Sequence, residues 1–436
     1  MVAGQSSPDR SPVLGCIADD VTGATDLAIN LVQGGLRVVQ ILDVPDAEVL
    51  AKAADADAIV VALKTRSIAR DDAILQSLQT LRTLQHAGIP RFYFKYCSTF
   101  DSTEQGNIGP VAEALMEQLG VEQTIFCPAF PRAGRTVYQG HLFVGDQLLC
   151  ESGMQNHPLN PMTDANLVRF LAKQATGKVG LLSSEVIAGG DARIAQRWQT
   201  LEKNKVSLVV TDVCSDADLA TLANAFASLP LVTGGSGLAR FLPAAYRQRG
   251  IVASADYAPC LPRVRGRSLI VAGSCSTATN SQVRWMKDRC PSHQVDVAAV
   301  MADSSDELTK IRAWAEAADA NQPLLIASTA SPESVALLQK RFGTESVAEA
   351  IEDFLASAAK LLVDELDVRR LVLAGGETSG AIVRKLGIRS LHIGPEICAG
   401  VPWTQTGDGQ RPLALALKSG NFGGEDFFET ALTLLP

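Results

Sequence analysis

Charged and hydroxyl-bearing side chains follow apolar runs in the first half of the chain, at the point where each run ends. Asp19, Asp20 and Thr22 follow the first run, and Lys64 and Arg66 follow the second. In an open parallel sheet, ligands bind beyond the carboxyl ends of the strands. Cations there would pair with a ligand carboxylate, while carboxylates and hydroxyls would bind its hydroxyl groups. The pattern therefore predicts a pocket for a small, polyhydroxylated anion such as a sugar acid.

The third and fourth apolar runs end in residues of the same kind. The third leads into a polar stretch at 95–103, and the fourth leads into 128–136, which contains Arg132 and Arg135. Each residue alone has a simpler explanation, because an Asp before a helix commonly caps it and a Lys or Arg is commonly a solvated surface charge. Four coincident strand ends favour a binding site. The candidate substrate-binding residues are Asp19, Asp20, Arg66, Lys95, Ser98, Thr99 and Asp101.

Three glycine-rich loops follow apolar runs in the second half of the chain. They lie at 273–276, 375–378 and 418–424. Glycine lets the backbone approach a ligand closely, and the free amides at a helix N-terminus favour an anion. The chain contains neither a GxxxxGK[ST] nor a GxGxxG motif, so the loops predict a nucleotide site of another type. These loops contain Ser274, Ser276, Gly375, Gly376, Glu377, Thr378 and Gly420.

Short apolar runs alternate with segments of helical period along the chain, which is typical of α/β proteins with parallel sheets. We predict strands at 13–18, 58–63, 91–94, 124–127, 180–182, 208–210 and 231–232, which suggest one sheet. Further strands are predicted at 268–272, 324–328, 371–373 and 413–418, with a helix at 347–365. The fold class expected is therefore α/β, with two mainly parallel sheets flanked by helices.

A length of 436 residues exceeds what one hydrophobic core usually supports, so two domains are expected. Residues 251–266 contain two prolines and lack an amphipathic period, as linkers commonly do. We expect a disordered N-terminal tail at 1–12, a substrate-binding domain at 13–250, a linker at 251–266 and a nucleotide-binding domain at 267–436. The active site is expected in the cleft between the domains.

Composition excludes several classes of protein. A net charge of −8 disfavours nucleic-acid binding, which requires a basic surface. The apolar runs are all shorter than the roughly 20 residues of a membrane helix. The nine cysteines form no CxxC pair, which predicts reduced, mostly buried thiols without structural zinc. We expect a cytoplasmic protein that binds neither nucleic acid nor a membrane. The oligomeric state stays open, and a homo-oligomer is one of the possibilities.

Three segments resemble signature segments of the four-carbon acid sugar kinases. They are IADDVTGATDLA at 17–28, KYCSTFDST at 95–103 and LAGGETSGAI at 373–382, and the similarity extends over nearly the whole chain from residue 13 onward. The resemblance implies that the first domain holds the acid sugar, that the second holds ATP, with Mg²⁺ expected beside it, and that the products are an acid sugar phosphate and ADP. Substrate contacts are implied at the Asp19-Asp20 loop, Arg66 and 95–103. ATP contacts are implied at Ser274 or Ser276, at 375–378 and at Gly420.

The branch of the family is indicated by KYCSTFDST together with NHPLNPMTDANL. These segments resemble the branch that phosphorylates 3-oxo-tetronate at its 4-position. Two places depart from the expected pattern, because Val21 stands where phenylalanine is expected and Phe-Pro-Arg-Ala at 130–133 stands where Leu-Pro-Val-Asn is expected. Phosphorylation of D-threonate or D-erythronate therefore remains the alternative within the family.

Asp20 is the first candidate for the base that removes the hydroxyl proton of the substrate, and Asp101 is the second, because both lie at predicted strand ends. His141 and His157 are assigned no catalytic role, since structural histidines are more common. The metal ligands remain unknown. A nicotinamide-dependent sugar-acid dehydrogenase would need the dinucleotide motif that the chain lacks, and a non-catalytic sugar-acid sensor would have no use for three phosphate-type loops.

Overall fold

The computed structural model describes residues 11–156, 160–253, 260–329, 343–407 and 411–434. Most of the predicted N-terminal tail, residues 254–259 of the predicted linker, and His157 lie outside the described residues. The chain divides into two compact units, with the division at residue 258. Each unit contains parallel strands and the helices that pack on them.

The first unit is built on parallel strands. Its strands are β1 (Leu14–Ala18), β2 (Val38–Leu42), β3 (Ala58–Ala62), β4 (Phe92–Lys95), β5 (Thr124–Cys127), β6 (Arg135–Tyr138), β7 (His141–Val144), β8 (Gln147–Leu148), β9 (Lys178–Leu182), β10 (Val206–Thr211) and β11 (Leu231–Gly234). Eight of them form a parallel sheet in the order β2-β3-β1-β4-β11-β5-β10-β9. Strands β6, β7 and β8 form a separate antiparallel sheet.

Helices connect the parallel strands of the first unit. They are α1 (Val21–Gln33), α2 (Ala47–Lys52), α3 (Arg70–His86), α4 (Ile108–Leu119), α5 (Leu167–Gln174), α6 (Ser184–Ala188), α7 (Gly190–Lys203), α8 (Asp216–Phe226) and α9 (Leu242–Gln248). Every residue of β1, β2 and β3 is buried, as expected where helices cover both faces of a parallel sheet. This covering leaves the strand ends as the exposed edge at which ligands can bind.

The second unit has a mixed sheet and its own helices. Its strands are β12 (Arg267–Ala272), β13 (Ser292–Gln294), β14 (Leu324–Ala327), β15 (Val368–Ala374), β16 (Ser390–Cys398), β17 (Val401–Thr406) and β18 (Ala414–Lys418). Its helices are α10 (Thr277–Met286), α11 (Val297–Ala302), α12 (Ser304–Ala317), α13 (Thr344–Glu365), α14 (Gly376–Lys385) and α15 (Phe427–Thr433). The order is β13-β14-β12-β15-β18-β17-β16, parallel as far as β18 and antiparallel after it.

The two-domain α/β fold is confirmed, and every predicted strand falls on an observed strand. The predicted number of strands is wrong, because β2, the antiparallel sheet, β13, β16 and β17 were not predicted. Strand β2 was missed because Gln40 interrupts its apolar run. The Gln40 side chain is fully buried and accepts a hydrogen bond from Thr25. Pro395 disguises β16, because proline is rare inside central strands.

Composition led to two expectations, that the thiols are mostly buried and that the chain has no membrane helix. All nine cysteines are free, but only Cys16, Cys127 and Cys290 are buried, so the prediction of mostly buried thiols is wrong. Cys214, Cys260 and Cys275 are exposed and lie in segments between strands and helices, Cys260 between α9 and β12. Within the described residues, no helix is both long enough and apolar enough to cross a membrane.

Candidate active site

Arg66 brings three carboxylates together at the carboxyl ends of β1, β3 and β4. Its Nε and Nη2 donate to the two oxygens of Asp19 at 2.9 and 2.8 Å. Nη2 also donates to Asp20 Oδ1 at 2.6 Å, and Nη1 lies 3.5 Å from Asp101 Oδ2. These three carboxylates, Arg66 and Lys95 are named the Arg66 cluster below. One guanidinium facing three carboxylates needs a second cation nearby, which Lys95 supplies.

Gly23 makes room for the two charges at the start of α1. Asp20 caps this helix, accepting from Gly23 N at 3.1 Å and from Thr22 Oγ1 at 2.8 Å. A Cβ atom on Gly23 would lie 2.1 Å from Asp20 Oδ1 and 2.6 Å from Lys95 Nζ. Lys95 is only 3% exposed, and its ammonium makes no hydrogen bond to the described residues. The glycine therefore permits a buried cation beside the Asp20 carboxylate.

Burial and the neighbouring cations shift the pKa values of Asp19 and Asp20 in opposite directions. Burial raises the pKa of Asp19 and outweighs the opposing charge of Arg66. Burial also acts to raise the pKa of Asp20, but Arg66 and Lys95 together overcome it and lower that pKa to about 2. Asp20 is therefore a carboxylate at neutral pH. The site combines an ionised group that accepts hydrogen bonds with a neighbour that holds a proton more readily.

Asn107 holds the loop that carries Arg66. Its Nδ2 donates to Thr65 O at 2.8 Å and to Ile68 O at 2.9 Å. The backbone amide of Thr65 donates in turn to Asp19 O at 3.0 Å. These contacts fix the loop to the end of β1, so the Arg66 guanidinium is placed by main-chain hydrogen bonds as well as by its carboxylate partners.

Phe100 places Asp101 through an unusual backbone conformation. Its φ is 52°, a region that residues other than glycine seldom adopt. The Phe100 ring is fully buried, with its centroid 5.3 Å from that of Tyr96 and 6.0 Å from that of Phe170. Strained backbone of this kind persists where its surroundings enforce it. Here the aromatic packing enforces a turn that directs Asp101 toward Arg66.

A glycine-rich loop of the first unit, next to the segment 95–103, was not predicted as part of the site. It spans residues 234–237 at the end of β11, next to β4 in the sheet. A Cβ atom on Gly235 would lie 2.5 Å from Pro128 O and 3.5 Å from Ser98 Cα. The glycines of this loop are needed for close packing against its neighbours. Its TGGSG sequence after an apolar run was the signal that could have revealed it.

Not every polar residue at the strand ends joins the Arg66 cluster. Thr99 is buried, and its Oγ1 lies 3.0 Å from Cys97 Sγ, while Ser98 is half-buried. Arg132 is exposed, and Arg135 donates to Ala133 O. Lys64 is exposed, and His141 Nδ1 lies 2.8 Å from Gln139 O. The Arg66 cluster thus contains only some of the polar residues that follow the strands.

The glycine-rich loops of the second unit converge at the carboxyl ends of β12, β15 and β18. A Cβ atom on Gly273 would lie 2.0 Å from Thr378 Oγ1, and one on Gly420 would lie 2.3 Å from Ser274 Oγ. Ser276 Oγ donates to Gly420 O at 2.7 Å. Six of the predicted nucleotide-binding residues thus fall in closely packed loops, and the side chain of the seventh, Glu377, is exposed.

Two helices begin at these converging loops. Ser276 caps α10 and accepts from Thr279 N at 3.2 Å, and Gly375 precedes α14 with a φ of 128°. Both helices have ten residues, and their N-termini carry free amides with a positive dipole end. Two helix N-termini at one sheet edge favour a polyanion. An anion such as a phosphate would therefore be favoured at this edge.

Comparisons with known proteins assign both units. The family model described as a sugar-binding N-terminal domain matches residues 14–242. The family model described as a nucleotide-binding C-terminal domain matches residues 269–428. Two solved structures are similar over nearly the whole chain. One from Salmonella typhimurium LT2 has a TM-score of 0.83 at 41% identity and covers 97% of this chain and 99% of that one. One from Haemophilus influenzae has a TM-score of 0.73 at 40% identity and covers 97% of this chain and 100% of that one.

Curated relatives give the same assignment with more detail. A 3-oxo-tetronate kinase of Cupriavidus necator is 50% identical over 425 residues, covering 97% of both chains. A 3-oxo-tetronate kinase of Pseudomonas fluorescens is 51% identical over 422 residues, covering 97% of this chain and 96% of the relative. The family predicted from the sequence motifs is confirmed. This chain belongs to the family of four-carbon acid sugar kinases, whose members join a sugar-binding N-terminal domain to a nucleotide-binding C-terminal domain.

Proposed function

We propose that this protein transfers the γ-phosphoryl group of ATP to the terminal hydroxyl of 3-oxo-tetronate. The bond from the substrate's O4 to the γ-phosphorus forms, the bond from that phosphorus to the β,γ-bridging oxygen breaks, and the hydroxyl proton passes to a base. The products are 3-oxo-tetronate 4-phosphate and ADP. The observation that carries the proposal is the identity of about half of all positions, over nearly the full length, to 3-oxo-tetronate kinases.

The Arg66 cluster is the proposed site for the acid sugar, within residues 13–250. The Arg66 donors are directed to the protein's own carboxylates, whereas the buried ammonium of Lys95 makes no hydrogen bond to the described residues. Lys95 is therefore the better partner for the substrate carboxylate. Asp19, Asp20 and Asp101 would accept hydrogen bonds from hydroxyls, with Arg66 holding the carboxylates in place, and Ser98 and Thr99 complete the proposed contacts.

Asp20 stays our first choice for the base, with Asp101 second. A pKa of about 2 makes Asp20 a weak base, but it also ensures that the group is ionised and ready to accept a proton. Phosphoryl transfer with a loose transition state requires little basicity, because positioning and charge stabilisation supply most of the catalysis. Asp20 hydrogen-bonds Thr22, Gly23 and Arg66, so its position is well defined.

The converging glycine loops, within residues 267–436, are the proposed ATP site, with contacts from Ser274, Ser276, Gly375, Gly376, Glu377, Thr378 and Gly420. Mg²⁺ would accompany ATP and neutralise charge on its phosphates. The described residues contain no group of three His, Cys, Asp or Glu side chains placed to hold a metal. Mg²⁺ commonly keeps several waters and binds mainly substrate phosphates. We therefore assign the ion to the phosphates of ATP and not to a protein cage.

ADP release from MgATP, measured with 3-oxo-tetronate, D- and L-threonate and D-erythronate as acceptors, tests the proposal. Turnover is expected with 3-oxo-tetronate, and mass spectrometry should find one phosphate on its 4-position. Turnover on a threonate or erythronate alone would move the enzyme to another branch of the family and implicate the departure at 130–133. Release with none of the acids would reject the kinase assignment.

A further inference from the structure

Lys418 is a fully buried lysine at the carboxyl end of β18. Its Nζ donates to Thr279 Oγ1 at 3.1 Å, to Ser419 O at 3.0 Å and to Gly420 O at 2.9 Å. No carboxylate of the described residues forms an ion pair with it. Burying an ammonium group without a counter-charge is costly. A lysine retained at such a cost in stability indicates a functional role for its charge.

Lys418 contacts two of the three loops of the proposed ATP site directly, and the loop at 273–276 is connected to it through Gly420 O. Gly420 O, which accepts from Lys418, also accepts from Ser276 Oγ at 2.7 Å and from Thr279 Oγ1 at 2.9 Å. The amide of Gly375 donates to Lys418 O at 2.8 Å. The side chain thus joins the third loop to the start of α10, and the main chain joins it to the loop before α14.

The groups around the ammonium are almost all neutral. The Thr279 hydroxyl faces it from α10, the Ser419 and Gly420 carbonyls face it from the following loop, and the Phe427 ring centroid lies 5.8 Å away on α15. Burial lowers the pKa of Lys418 to about 7, and the Cys398 thiol on β16 acts in the opposite direction. A bound anion would favour the charged form.

We propose that Lys418 is the positioning residue of the nucleotide site, holding the 419–420 turn against α10 and supplying the buried positive charge that a polyphosphate requires. Because all three of its donors bind the protein, it acts on the ligand through the loop and its charge, without direct contact. The inference rests on the proposed function only in naming an adenine nucleotide as the ligand.

Calorimetric titration with MgADP, without an acid sugar, tests the role of the charge. Lys418→Gln can still donate hydrogen bonds to the carbonyls but carries no charge, so its affinity for MgADP should fall by about tenfold or more, which is about 1.4 kcal/mol. The matched control is Lys360→Gln, an exposed lysine paired with Asp364 on α13, which should bind like the wild type. Binding of Lys418→Gln within about twofold of the wild type would overturn the proposal.

Proton uptake provides a second measurement that needs no folded variant. In the ligand-free protein at about pH 8, Lys418 is mostly neutral. If ligand binding stabilises its ammonium form, the protein should take up nearly one proton on binding. Titrations of the wild type in two buffers of different ionisation enthalpy measure this uptake, and no uptake would contradict the inference. A wild type that takes up the proton but phosphorylates no acid would refute the kinase proposal alone, and the reverse result would refute the role of Lys418 alone.

Discussion

Arg66 and Asp19 lie 47 positions apart in the chain and form two parallel hydrogen bonds, of 2.9 and 2.8 Å, at adjacent strand ends. The Arg66 side chain is 19% exposed and that of Asp19 is 5% exposed, so the pair is largely withdrawn from water. The strand order β3-β1-β4 makes this contact, because it places three loops distant in sequence side by side. The pair therefore connects the sheet topology directly to the electrostatics of the proposed substrate site.

Replacing Arg66 by Ala should destabilise the protein and abolish turnover. Removal of one partner from a buried ion pair leaves uncompensated charge and typically costs about 3–5 kcal/mol. Urea unfolding of the two proteins measures the difference. The matched control is Arg37→Ala, because Arg37 forms a similar two-bonded pair with Asp57 at a more exposed position. Its loss should cost about 1 kcal/mol or less. Equal losses for the two variants would contradict a special role for the buried pair.

Gly23→Ala should weaken acid sugar binding while leaving ATP binding intact. The added methyl would meet Asp20 Oδ1 and Lys95 Nζ, so at least one of the two charges must move. We expect the KM for the acid to rise by about tenfold, equivalent to about 1.4 kcal/mol, and the KM for ATP to stay unchanged.

The control for this variant is Gly153→Ala, where a Cβ atom has no neighbour within 4 Å. It should leave both KM values unchanged. A Gly23→Ala enzyme with the acid KM of the wild type would show that the two charges do not contact the substrate.

Gly375→Ala should have the opposite selectivity and weaken ATP binding. Gly375 has a φ of 128°, which an alanine adopts only with strain, and its Cβ would lie 3.2 Å from Ser274 N. The KM for ATP is expected to rise more than the KM for the acid. The control is Gly387→Ala, which also has a positive φ, of 68°, but open space around it. If both variants changed the KM for ATP equally, general destabilisation would explain the effect.

Asp20→Asn and Asp101→Asn should separate the two candidates for the base. Each change removes a charge while keeping size and some hydrogen-bonding capacity. Loss of kcat with a nearly unchanged acid KM is expected for the base, and a raised KM with retained kcat for a binding residue. Steady-state kinetics of both variants therefore decide the assignment. Near-normal kcat in Asp20→Asn would pass the role to Asp101.

The strand ends were predictable because the order of residue types along the chain marks them. Apolar runs followed by Asp, Arg, Lys and Ser locate the carboxyl edge of a parallel sheet, and the Arg66 cluster lies at that edge. The residues that hold the cluster were not predictable in the same way. Asn107 lies at the start of α4, and nothing in its local sequence indicates that its amide binds the carbonyls of Thr65 and Ile68. Such contacts depend on tertiary structure.

Backbone conformation was the other part that sequence reasoning missed. A positive φ is commonly inferred from glycine, but Phe100 adopts one under the constraint of its buried ring. That constraint comes from tertiary packing against Tyr96 and Phe170, which the local sequence does not encode. The TGGSG loop does follow an apolar run and was predictable, whereas the buried Gln40 departs from the apolar pattern of β2.

The fully buried Gln40 has a consequence for the accuracy of the substrate site. Its amide donates to Val21 O at 3.3 Å, and its carbonyl accepts from Thr25 Oγ1 at 2.9 Å, so β2 is hydrogen-bonded to the first turns of α1. A helix held only by apolar contacts can shift along a sheet by small repacking steps. Here any shift would leave a buried amide unsatisfied, at a cost of about 1–3 kcal/mol. Gln40 thus fixes the position of α1 along the sheet. The Asp20 carboxylate at the N-terminus of α1 is therefore positioned by β2, a strand that carries no proposed active-site residue.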